Sequence, residues 1–145
     1  MRKLLTFIWI FIITFSVIVY DTQAIDTPPT VSADGVVLMD KNTGQILYSK
    51  NLDSPYPPAS TTKIMTALLA LEKCNLDDVV TIGKNATDID GSKIYIFEGE
   101  KLTIRDLLYS LLLQSANDCA VALAEHISGS TQEFVKLMNT RAKEL

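Results

Sequence analysis

Two short runs carry side chains that could do chemistry together. The first is Ser60-Thr61-Thr62-Lys63, directly after a rigid approach containing Pro55, Pro57 and Pro58. Residues three apart share a helix face, so an amine at 63 can reach a hydroxyl at 60. An amine stripped of water can take the hydroxyl proton and turn the serine into a nucleophile. A helix start also offers unpaired N–H groups where an oxyanion would form. Taken alone, the tetrapeptide reads more readily as an N-cap serine beside a surface lysine. The second run, Ser115-Ala116-Asn117, is a polar break between apolar stretches that can set a hydroxyl and an amide at a cleft mouth. Ser-x-Asn is unspecific, since Ser49-Lys50-Asn51 fits it at a strand end. Position separates the two.

The remaining reactive types offer less. His126, the only histidine, lies beside Glu125 without a Gly-x-Ser-x-Gly setting, so a surface histidine is expected. Cys74 and Cys119 fall on different elements and read equally as a pair or as two buried thiols. Asn85-Ala86-Thr87 is a glycosylation sequon, and Gly83-Lys84 lacks the rest of a phosphate loop. The acidic residues show no two-metal spacing, so neither a metal nor a cofactor is expected. With 13 basic and 17 acidic residues the net charge is −4, which leaves no basic stripe for nucleic acid.

The elements that must hold these residues are legible in outline. Arg2 and Lys3 precede an uncharged stretch, Leu4 to Tyr20, and then Asp21-Thr22-Gln23-Ala24. This predicts an export signal over residues 1–24, with an uncleaved short anchor as the other reading. The remainder carries a net charge of −5. Val31 to Met39 and Gln45 to Ser49 predict a hairpin around Asp40-Lys41-Asn42-Thr43-Gly44, with Gly35 marking a bulge or close packing. Ile64, Met65, Leu68, Leu69 and Leu71 predict a helix from Ser60, buried on most sides. Strand pieces are expected at Val79–Ile82 and Ile94–Phe97. A helix should start at Thr103-Ile104-Arg105-Asp106, and another, capped by Asn117 or Asp118, should stop at Gly129. Ser130-Thr131-Gln132-Glu133 reads as a capping box opening a last helix.

Several of these blocks together closely resemble one family. They are Asp40-Lys41-Asn42-Thr43-Gly44-Gln45-Ile46-Leu47-Tyr48, Pro58-Ala59-Ser60-Thr61-Thr62-Lys63-Ile64-Met65-Thr66-Ala67, Gly99-Glu100 with Asp106-Leu107-Leu108, and Gln114-Ser115-Ala116-Asn117-Asp118. From about Val31 onward the chain is similar to the serine D-alanyl-D-alanine carboxypeptidases, the low-molecular-mass penicillin-binding proteins. The resemblance implies an α+β fold of the DD-peptidase/β-lactamase type, an antiparallel sheet beside a helical cluster. It implies Ser60 as acyl-forming nucleophile, Lys63 as general base, Ser115 as proton relay and Asn117 as the amide that orients lysine and substrate. The implied substrate is a peptidoglycan stem peptide ending in D-Ala-D-Ala, cut outside the cytoplasmic membrane, with β-lactams as covalent inhibitors. Membrane association would come through the N-terminal segment or a C-terminal segment.

One family motif is missing. No Lys-Thr/Ser-Gly follows Ser115, and Lys41-Asn42-Thr43-Gly44 has an extra residue and lies upstream of Ser60. Residues 25–145 are therefore expected to be the N-terminal part of such a catalytic domain, its C-terminal strands lying beyond. The alternatives are a class A β-lactamase-like hydrolase and a non-catalytic exported remnant or binding protein.

Overall fold

The computed structural model describes residues 29–145, which divide into a unit ending at Tyr56 and a unit spanning Pro57–Leu145. The predicted export signal over residues 1–24 lies outside the described residues. Among those described, no helix is long and apolar enough to cross a membrane.

The first unit is an antiparallel hairpin of β1 (Val36–Met39) and β2 (Ile46–Lys50), pairing Val36 with Lys50 and Leu38 with Tyr48. The register shifts between Leu38 and Met39. Its tip is folded by Asp40, whose carboxylate accepts the N–H groups of Asn42 and Thr43 and the Thr43 hydroxyl. The Thr43 contacts hold the Asp40 carboxyl below the usual carboxylate value. Strand β1 starts five residues later than its β-prone run suggests. The carbonyls of Val31 and Ala33 accept from Lys50 Nζ, and that of Asp34 accepts from Asn51, so side chains take the place of a ladder. Gly35 marks close packing, since a Cβ there would lie 3.1 Å from the Tyr56 ring.

The second unit opens with a 3-10 turn, Ala59–Thr61, that runs into α1 (Thr62–Lys73). Strands β3 (Val79–Thr81) and β4 (Lys101–Thr103) pair antiparallel and flank the one-turn helix α2 (Lys84–Thr87). Three helices follow: α3 (Ile104–Leu113), α4 (Asn117–Ser128) and α5 (Thr131–Glu144). Two layers of apolar side chains hold them. Ala67 and Ala70 of α1 meet Ile104, Leu107 and Leu111 of α3, Leu123 of α4, and Val80 of β3. Leu69, Ala124 and Phe134 form the second layer, seating α5 on α1 and α4. Each large side chain buried there contributes about 1.5–3 kcal/mol. The two alanines let the helix backbones approach. Across one edge Arg141 forks onto the Glu72 carboxylate.

Several local expectations change. Helix α1 is amphipathic rather than buried on most sides, because Ile64 and Leu71 are 67% and 58% exposed. Residues Ile94–Phe97 are not a strand: the N–H groups of Ile94 and Ile96 donate to the Asp118 carboxylate, and Tyr95 between them sits at φ +63°. The partner of β3 is Lys101–Thr103 instead. The residue before α4 is Ala116, so neither Asn117 nor Asp118 serves as its cap. Helix α1 starts at Thr62 with Thr61 rather than Ser60 at its N-cap position, because Ala59–Thr61 form a 3-10 turn first. Two other boundaries follow the sequence signals. Thr103 and Asp106 form the reciprocal box at α3, and Gly129 closes α4 at φ +76°. At α5 only half a box is present. Ser130 Oγ accepts the Glu133 N–H, while the Glu133 carboxylate pairs with Lys136.

Candidate active site

Ser60 lies on the 3-10 turn, one residue before the N-cap of α1, and is exposed. Positions 60 and 63 are three apart across the junction of this turn with α1, which sets them on one face, and Lys63 reaches back to the serine. Ala59, just before Ser60, has φ +48°. A left-handed conformation costs a non-glycine residue about 1–2 kcal/mol, which the surrounding turn must offset. Ser115 is likewise left-handed, at φ +54°, in the sharp link between α3 and α4. That link turns its hydroxyl toward α1 instead of continuing the α3 face.

Four side chains from these two places form one hydrogen-bonded set. Lys63 Nζ lies 3.3 Å from Ser60 Oγ, 3.1 Å from Ser115 Oγ and 2.6 Å from Asn117 Oδ1. Ser115 Oγ is in turn 3.1 Å from Ser60 Oγ. Asn117 Nδ2 donates to the Asp90 carbonyl at 2.7 Å, which leaves Oδ1 to accept from the lysine. The closed triangle of Ser60, Lys63 and Ser115 suits proton movement in either direction. An ammonium at Nζ can donate to all three neighbours. A free amine can donate to Asn117 and Ser115 and receive from the Ser60 hydroxyl. Both states use the same positions, so no side chain has to move between them.

Beside Ser60 runs an open groove of about 420 Å³, lined by Lys63, Thr66 and Asn117 and by the apolar Val121, Phe134 and Met138. The other reactive types stand apart from this set. His126 is exposed, and Asn85 donates to Glu125. Cys74 and Cys119 are free thiols. Cys119 is fully buried, and desolvation, with the Asp118 charge second, pushes its thiol up to about 12. Burial also raises the Cys74 thiol, with Asp78 adding to it.

Local spacing offers Asp118 only as an alternative cap to Asn117 and segment 90–96 only as a turn and a strand piece, with no part in the site. Both grip the site. Asp118 is 1% exposed, and its carboxylate accepts from Ile94, Ile96 and Cys119. The Asn117 N–H, otherwise unpaired at the start of α4, donates to the Ser92 carbonyl at 2.7 Å. The available signal is a carboxylate at the head of an apolar helix, which burial makes costly unless it is fully bonded.

Comparison with known proteins identifies the family. A family model described as D-alanyl-D-alanine carboxypeptidase matches residues 22–145. The D-alanyl-D-alanine carboxypeptidase DacF of Bacillus subtilis is 44% identical over 118 residues, covering 78% of this chain and 30% of the relative. Among solved structures, the D-alanyl-D-alanine carboxypeptidase DacD of Francisella tularensis superposes with a TM-score of 0.77 at 40% identity, covering 81% of this chain and 30% of that one. Penicillin binding protein 5 of Haemophilus influenzae superposes at 0.74 and 40% identity, covering 81% and 37%. The chain thus spans about a third of the length of these relatives. The fold is α+β of the DD-peptidase type, and the chain belongs to the D-alanyl-D-alanine carboxypeptidase family.

Proposed function

We propose that this chain carries the acylating machinery of a serine D-Ala-D-Ala carboxypeptidase that trims peptidoglycan stem peptides. The observation that carries this reading is the meeting of Lys63 Nζ with Ser60 and with Ser115 and Asn117, the latter two more than fifty positions away. The names of its relatives support the substrate class.

In this mechanism Lys63 Nζ takes the Ser60 proton as Oγ attacks the carbonyl between the two D-alanines. The tetrahedral intermediate collapses with breakage of the C–N bond. Ser115 Oγ gives its proton to the departing amine and is refilled from Lys63 across 3.1 Å. Free D-alanine leaves and Ser60 holds the shortened peptide as an ester. Water then attacks the ester by the same proton route in reverse. Asn117 keeps the lysine pointed at both hydroxyls and offers its amide edge to the substrate backbone. Recognition of the terminal carboxylate is assigned to a Lys-Thr/Ser-Gly strand in the part of the relatives' length that this chain does not span. β-Lactams acylate Ser60 in this reading, in keeping with the name of the Haemophilus influenzae neighbour, a penicillin binding protein. The basic and then apolar start, Arg2-Lys3 followed by Leu4 to Tyr20, supports export to the outer face of the cytoplasmic membrane.

Fluorescent penicillin tests the assignment on the full-length gene product. The expected result is a long-lived ester on the wild type that is absent in Ser60→Ala. No label on the wild type, or equal label on both, overturns it. Fast β-lactam turnover points to a β-lactamase instead.

A further inference from the structure

Asn117 does not stand alone at the start of α4. The segment 90–96 is pinned to it at four points: Asp90 O receives Asn117 Nδ2, Ser92 O receives the Asn117 N–H, and the N–H groups of Ile94 and Ile96 reach Asp118. Asp118 is the only buried ionisable carboxylate among the described residues. Its bonds hold Tyr95 in a left-handed conformation, with the residue 79% exposed. Three N–H donors, from Ile94, Ile96 and Cys119, satisfy the Asp118 oxygens. Gly91 completes the fit. At φ +88°, with its Cα facing the amide, it leaves room where a Cβ would come 2.7 Å from Asn117 Nδ2. Gly99 has the same backbone hand, φ +82°, yet a Cβ there meets nothing within 4 Å.

We propose that Asp118 and Gly91 are positioning residues of the acylation site: they clasp segment 90–96 against α4 and so hold the Asn117 amide on Lys63. The inference rests on the functional reading above. It assigns the two residues no contact with substrate. Asp118 holds the segment from the buried side, and Gly91 leaves the amide its space from the exposed side. Displacing that amide takes the acceptor from Lys63 and loosens the aim of its proton route. A misplacement on the scale of 1 Å in such a set can cost about 100-fold in rate.

The test measures the acylation rate constant for penicillin across pH in the full-length protein, with Gly91→Ala, Gly99→Ala and Asp118→Asn beside wild type and Ser60→Ala. Gly99→Ala carries the backbone strain without the clash and is expected to stay within about threefold of wild type. Gly91→Ala is expected to fall about 10- to 100-fold per active molecule. Its pH–rate profile should be displaced, because the lysine has lost its nearest partner. Asp118→Asn sets an amide N–H against backbone donors and should displace the profile the same way. A merely structural defect lowers the labelled fraction and leaves rate constant and profile unchanged. Gly91→Ala, exposed at the surface, carries the test if Asp118→Asn fails to fold. Equal rates for Gly91→Ala and Gly99→Ala, with Ser60-dependent labelling intact, overturn this proposal alone. Loss of Ser60-dependent labelling in the wild type overturns the functional reading and this inference with it.

Discussion

At the scale of single residues, environment decides which of several similar groups is reactive. Ser60 and Ser115 are ordinary serines whose reactivity in the proposed mechanism comes from Lys63 between them. The two thiols show the opposite case. Cys119 keeps its proton because burial and the Asp118 charge disfavour a thiolate, whereas Cys74 is only half-buried. Iodoacetamide at pH 8 should therefore modify Cys74 in the folded chain and reach Cys119 only in denaturant, as read by mass spectrometry. Modification of native Cys119 at the Cys74 rate would contradict the packing. The same group sets an alkaline limit. Its folded value is raised from 9.0 to about 12, so the unfolded chain releases the proton first. The stability it contributes is whole below pH 9 and is lost progressively as pH climbs toward about 12. Cys119→Ala should flatten that loss in denaturant titrations, at the cost of a small cavity.

At the scale of elements, the helices begin and end where side chains satisfy orphaned backbone groups. Helix α3 is closed by the reciprocal Thr103–Asp106 box, whereas α5 has only the Ser130 half. Thr103→Ala should cost about 1 kcal/mol in urea unfolding, and Asp106→Ala, which keeps the Thr103 cap, distinctly less. Equal losses would mean that the return bond matters as much as the cap. Helix α4 has no side-chain cap, and segment 90–96 does that work from outside it. Such a cap is invisible to local sequence reading, because donor and acceptor lie more than twenty residues apart. The same fact explains the misplaced strand at Ile94–Phe97. The consecutive β-prone residues there meet a carboxylate that takes the Ile94 and Ile96 N–H groups before any strand can.

At the scale of the molecule, all buried residues among those described lie in Pro57–Leu145. The hairpin unit, by contrast, leaves Val37, Leu38, Met39, Ile46 and Leu47 exposed. Apolar surface of this extent is unusual on a two-stranded sheet. The 145-residue chain should bind a hydrophobic dye such as ANS at neutral pH. Leu38 and Leu47 are 56% and 59% exposed, so Leu38→Thr with Leu47→Thr should reduce the dye signal. The pair should shift unfolding free energy by less than about 0.5 kcal/mol per site. An unchanged dye signal would place the sticky surface outside the hairpin.

The sequence by itself determined what is local: the hairpin tip at Asp40, the helix starts at Thr103 and Ser130, the stop at Gly129, and the i to i+3 reach of Lys63 to Ser60. Each depends on residues a few positions apart, where spacing and side-chain type are sufficient. Ordered blocks of residues also pointed to the family, since several motifs in sequence are far more specific than one. Only the tertiary structure decided that Ser115 and Asn117 close on Lys63 and that Asp118 grips a loop instead of capping a helix. It also decided that Cys119 is sealed and Cys74 is not. Those outcomes depend on how α1, α3 and α4 pack through Ala67, Ala70, Leu107 and Leu123. A few ångströms of helix approach set them, and no local pattern encodes that distance.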